Sequence, residues 1–260
     1  MYRSQPAGTP GLGARLVRAA LELLYPARCV ACEATLDAVD DVFCVGCALT
    51  LAPIDSACPR CARPSAIALE HPPPCLGCLQ RPPRFDGALA AYEFGGALAQ
   101  AIRRMKWSGM PELAPALGLL LFAALERAPP PYGDVELMVP VPLHRRRLRV
   151  REFNQAAELA AALQEAARAR DSAFGRVALD ARALVRVRDT PPQTGLDAAQ
   201  RRGNVLGAFA VRTPARVQGR RVLVVDDVMT TGATADACAS ALRAAGAAEV
   251  LVLTLGRAVT

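Results

Sequence analysis

Residues 222–238 read VLVVDDVMTTGATADAC, and this run limits the possible folds more than any other part of the chain. Val222, Leu223, Val224 and Val225 are consecutive apolar β-formers, the pattern of a strand buried on both faces of a parallel sheet. Asp226 and Asp227 follow at once, then Thr230, Thr231, Gly232, Ala233 and Thr234. Residues 235–245 have the composition of a helix, which Gly246 stops. Strand, polar loop and helix in that order predict an α/β fold. They also predict a ligand site where the loop leaves the C-terminal end of the strand.

The residue types narrow the ligand. Amides at a helix N-terminus bind phosphate, threonine hydroxyls add donors, and glycine lets the backbone come close. Two carboxylates beside such a cradle would repel phosphate, so they need another task. The hydroxyls of a sugar, or magnesium, would suit them. The implied ligand is a sugar phosphate. A Walker loop would need GxxxxGK[ST] and a dinucleotide fold GxGxxG, and neither is present. The run resembles the signature of the type I phosphoribosyltransferases, which bind 5-phosphoribosyl 1-diphosphate (PRPP). That resemblance implies a Rossmann-like parallel sheet. It places Asp226 and Asp227 on the ribose, residues 230–234 on the 5-phosphate, and magnesium with the diphosphate.

Eight of the nine cysteines form four CxxC pairs: Cys29/Cys32, Cys44/Cys47, Cys58/Cys61 and Cys75/Cys78, separated by 11, 10 and 13 residues. Each pair can grip a metal from one tight turn, and two turns complete a tetrahedron. Two structural zincs are expected. An iron–sulfur cluster is a weaker alternative, and a thioredoxin-like redox site lacks its βαβ context. Tandem pairing puts Cys29, Cys32, Cys44 and Cys47 on one ion and Cys58, Cys61, Cys75 and Cys78 on the other. A crossed pairing stays open. His71 is expected in a loop and Cys238 in packing.

The formal charge is +7 over 260 residues, from 30 arginines and a single lysine, Lys106. Eight thiolates against the four charges of two zincs would lower it to +3. With so much alanine, the arginine excess is weak evidence for nucleic-acid binding. Its local form matters more: between positions 140 and 221 there are 17 arginines and 7 acids, a surface for anionic ligands. Arg145 and Arg146 crowd an expected strand-to-helix turn after 135–141, where a diphosphate would fit, with Arg147, Arg149 and Arg151 close behind. Lys106, kept where arginine dominates, is expected to contact phosphate or substrate, since an ammonium is a compact point charge. Residues 188–206 show no apolar period and read as a mobile lid that could carry Gln193, Arg201 and Asn204 to a ligand. Residues 1–16 have no apolar core of a signal peptide and 113–125 are too short to span a bilayer, so a cytoplasmic protein without membrane insertion is expected.

In order, the chain reads as a tail and amphipathic helix (1–28, the helix over 13–25), a double zinc ribbon (29–80) and a phosphoribosyltransferase-like domain (85–260). The whole resembles the ComF family, which pairs such a ribbon with such a domain. The matching pieces are the four CxxC pairs, MKWSG at 105–109, VPVPLH at 139–144, REFNQ at 151–155, Gln193, Arg201 with Asn204, and DDVMTTGAT. The family usually has glycine where this chain has Glu152. The resemblance implies a role in natural transformation and DNA uptake. Two readings follow: a phosphoribosyl-transferring enzyme, or a non-catalytic adaptor for single-stranded DNA and uptake proteins that senses PRPP. One Trp and four Tyr speak against base stacking as the adaptor's main device.

Overall fold

The computed structural model describes residues 27–36, 41–65, 67, 69, 71–190 and 198–259, with the backbone alone at 198, 199, 201 and 202. The helix expected over 13–25 and Gln193 lie outside the described residues.

The apolar run becomes strand Arg221–Met229, and its alternation builds two cores. Leu223 and Val225 face one side, Val222 and Val224 the other, because successive strand side chains point to opposite faces. Five parallel strands share this arrangement. In chain order they are β1 (Gly87–Glu93), β2 (Leu137–Pro140), β3 (Ala178–Leu179), β6 (Arg221–Met229) and β7 (Glu249–Arg257). The spatial order is β1-β7-β6-β2-β3, so β6 is central. A separate antiparallel pair, β4 (Leu184–Arg186) and β5 (Phe209–Val211), stands beside this sheet.

One face is covered by α3 (Gly96–Trp107), α4 (Ala114–Glu126) and α6 (Gln155–Ala169), through Leu98, Ile102, Leu117, Leu121, Leu159 and Leu163. The other is covered by α8 (Ala233–Ala244), through Cys238 and Leu242. Gly118 of α4 lets two helices touch: a Cβ there would lie 2.5 Å from that of Ala162 on α6. Among the described residues, no helix is long and apolar enough to cross a membrane.

The cysteine-rich module is built on two short helices, α1 (Val45–Ala48) and α2 (Leu76–Gln80). It joins the sheet rather than hanging from it. Ile54 N–H donates to Ala91 O (3.2 Å), Glu93 N–H to Ala52 O (2.8 Å) and Ala88 N–H to Pro59 O (3.1 Å). Residues 52–59 therefore cover the outer edge of β1, which an open sheet would leave unpaired.

Two expectations fail. Residues 145–151 are not a turn: they form helix α5 (Arg145–Arg151), begun by His144 Nδ1 accepting from Arg146 N–H and stopped at Glu152 in the left-handed region (φ 66). Within the expected lid, residues 198–205 form helix α7 (Ala198–Val205), which packs on α8 and buries Val205. Its short polar sequence hid a single apolar contact.

Candidate functional site

β6 runs longer than its apolar core, so Asp226 and Asp227 are part of the strand and point from its C-terminal end. Because strand side chains alternate, the two carboxylates leave in different directions. Asp227 is buried, and its Oδ2 forms an ion pair with the Lys106 ammonium on α3. That oxygen has no hydrogen bond besides this pairing among the described residues. Asp226 is partly exposed at the cavity floor and accepts from Asp227 N–H (2.9 Å). Burial, then the Asp227 charge, push the Asp226 carboxyl well above the usual carboxylate range, against the opposing pull of Lys106.

The chain then turns into α8 at Gly232, whose φ of 80 is a conformation that glycine adopts without strain. Thr230, Gly232, Ala233 and Thr234 line a cavity of about 1040 Å³ beyond the C-terminal ends of the strands. Thr231 does not line it: its Oγ1 accepts from Ala233 N–H (3.4 Å), so its hydroxyl shapes the loop.

The rest of the lining is basic: Arg147 and Arg151 of α5 and Arg186 of β4 contribute to it, together with Arg146 and Lys106. Arg147 donates to Thr190 O (2.9 Å), Arg186 bonds Thr190 Oγ1, and Arg146 pairs with Asp189 (3.2 Å). Burial, then the neighbouring Arg147, make Arg186 a weaker base than an ordinary guanidinium. Arg151 lies 4.7 Å from the centroid of the Trp107 ring, which is 74% exposed at the cavity mouth. An acidic floor, a hydroxyl-bearing loop and a guanidinium wall in one cavity can hold a ligand with both hydroxyls and phosphates.

Of the expected site residues, Asp226, Asp227, Thr230, Gly232, Ala233, Thr234, Lys106 and Arg146 all line this cavity. Arg145 does not: it is exposed at the start of α5, outside the cavity lining. Helical geometry explains the exchange, since Arg147 and Arg151, four apart, share the cavity-facing side. Arg186 was missed because a lone arginine in a short strand gives no signal of its own. Asn204 sits on α7 outside the described cavity lining, and the side chain of Arg201 is not described.

The cysteines fall into two groups, Cys29/Cys32/Cys44/Cys47 and Cys58/Cys61/Cys75/Cys78, each with its sulfurs within 4.8 Å of one another. This is the tandem pairing. Sulfur separations of 3.6 Å (Cys32 to Cys44) and 3.7 Å (Cys61 to Cys75) match the roughly 3.8 Å expected of four thiolates at 2.3 Å from one zinc. Burial opposes ionisation of Cys29, yet the N–H groups of Cys32 and Cys44 draw its thiol down to about 6. Cys75 falls to about 7 against the same opposition, through Cys78 N–H and Cys61. Cys238 is buried in α8, away from both groups.

The profile of the double zinc ribbon domain matches residues 20–79. The chain is 35% identical over 202 residues to DNA utilization protein YhgH of Escherichia coli (strain K12), covering 77% of this chain and 83% of the relative. It is 35% identical over 205 residues to the protein of the same name in Salmonella typhimurium, covering 78% and 84%. To competence protein F of Haemophilus influenzae it is 30% identical over 204 residues, covering 77% and 84%. With two four-cysteine zinc sites packed on the edge of a parallel α/β sheet, and with these relatives along most of its length, the chain belongs to the ComF family.

Proposed function

We propose that this protein binds PRPP with magnesium and uses that site in a competence-related role in DNA uptake or utilisation. One observation carries the reading: the acid pair and the hydroxyl loop leave the same strand into one cavity that guanidinium groups also line. In this reading Asp226 and Asp227 take the ribose hydroxyls, and the 230–234 loop with the α8 N-terminus takes the 5-phosphate. Magnesium would sit with the diphosphate and neutralise its charge. Arg147, Arg151 and Arg186 face the diphosphate, where they would stabilise charge developing on it as a leaving group. Lys106 pairs with Asp227 and holds it in place until ligand enters. The names of the relatives, DNA utilization protein and competence protein F, support the biological half of the reading. The exposed Trp107, with Arg151 stacked on it, favours a second reading in which the cavity mouth meets single-stranded DNA and PRPP is only sensed.

Calorimetry with PRPP, ribose 5-phosphate and phosphate tests the site. Asp226→Asn with Asp227→Asn removes charge but keeps shape, so it should weaken PRPP far more than phosphate. Thr230→Val removes a donor and should weaken all three by about 1.5–3 kcal/mol if that hydroxyl bonds a charged oxygen. PRPP binding no tighter than phosphate would sink the assignment. An uptake assay on the double variant then separates the two halves: normal transformation without PRPP binding would detach the site from the biological role.

A further inference from the structure

Arg257 ends β7 in register with Met229 and is only 5% exposed. Its guanidinium donates to main-chain carbonyls from three places. Nε reaches Cys61 O (2.9 Å), and Nη1 reaches Met229 O (3.3 Å), Thr230 O and Ala258 O. No carboxylate pairs with it among the described residues. A buried cation without a counter-ion is costly, so its position calls for an explanation beyond packing. Cys61 belongs to the second metal-binding group, and Thr230 opens the loop that lines the cavity.

We propose that Arg257 is the positioning residue of the 230–234 loop and couples it to the metal held by Cys58, Cys61, Cys75 and Cys78. The proposal rests on reading the loop as a phosphate cradle. A metal-bound Sγ fixes Cys61, and so fixes the carbonyl that Arg257 grips. The guanidinium is a rigid plane, so holding Nε there sets where Nη1 holds Thr230 O. In a trans peptide the next N–H points opposite to that carbonyl, so Arg257 aims the Thr231 N–H away from itself, onto the far face of the loop. The same charge lies behind the loop and offsets the repulsion that Asp226 and Asp227 exert on an incoming anion.

Hydrogen exchange of peptides spanning 229–236 tests the coupling in the full-length, metal-loaded protein without any ligand. Arg257→Lys keeps the charge but cannot span both carbonyls. It should retain both zincs, speed exchange of the loop amides about tenfold or more, and speed zinc release to a chromogenic chelator. Cys58→Ser with Cys61→Ser should loosen the same amides with Arg257 intact. Loop exchange as slow as wild type in both variants overturns the proposal. So does a loosened loop in Arg257→Lys alone, with zinc release unchanged. If the double cysteine variant does not fold, the zinc-release rate of Arg257→Lys decides. Ribose 5-phosphate should bind Arg257→Lys about tenfold more weakly. If wild type binds neither ribose 5-phosphate nor PRPP, the cradle reading fails, while the exchange data still decide the coupling.

Discussion

Asp226 and Glu152 each spend stability in a way that can be measured. The Asp226 carboxyl is raised by burial and by Asp227, so the folded chain binds its proton more tightly than the unfolded chain does. The penalty is absent below the ordinary carboxylate pKa, grows as pH rises towards the folded value, and stays in full above it. Asp226→Asn should therefore raise the melting midpoint at pH 8, and the gain should vanish near pH 4. Glu152 sits in the left-handed region as the residue that stops α5. This explains a glycine at that position without any ligand: the backbone conformation favours one. Glu152→Gly should stabilise the protein by about 0.5–1 kcal/mol in denaturant titration, with PRPP affinity unchanged. Individual cavity residues were legible in the sequence where a short motif set them side by side, as with Asp226, Asp227, Thr230 and Thr234. Arg147, Arg151 and Arg186 were not, because which arginine in a run faces a cavity depends on helix phase and on a strand brought in from elsewhere.

Among the elements, α4 and α6 show how closely packing constrains this fold. Gly118 faces Ala162 with no room for a methyl, the Cβ meeting Ala162 Cβ at 2.5 Å and the Leu163 amide nitrogen at 2.9 Å. Gly118→Ala would gain helix propensity on an isolated helix. Here it should destabilise by about 1–3 kcal/mol, because the helices must move apart. Thermal or urea unfolding gives the sign, and a stabilised variant would show that α4 can shift freely. The helix read over 235–245 is α8, displaced by two residues at its start and one at its end. α5 and α7 were lost because a seven-residue arginine-rich stretch and an eight-residue polar one have no apolar face to read. Tertiary contacts decide both: Arg147 on Thr190 O, and Val205 in the core.

At the scale of the whole molecule, the ribbon and the sheet share their interiors. Val30 and Phe43 lie in one core with Leu98 and Ile102, and Ala62 in the other with Phe85. Thr50 Oγ1 accepts from Ala97 N–H at the start of α3 (2.9 Å), and Arg104 near its end donates to Val30 O (2.9 Å). The helix that presents Lys106 is thus held at both ends by the first metal-binding group. Elemental analysis of protein purified without added metal should give two zincs per chain, unchanged by Cys238→Ser; one zinc, or coloured iron, would contradict the assignment of zinc to both four-cysteine groups. The ribbon was legible from spacing alone, but its docking on β1 was not, since main-chain hydrogen bonds leave no mark on sequence. That docking has a consequence for the chain in a cell. Stripping zinc would bare the outer backbone of β1, a seven-residue row of donors and acceptors that another copy can complete by strand addition. Chelation should therefore raise light scattering with protein concentration, and zinc restored before association should prevent it. Colloidal stability in this protein becomes a readout of metal supply.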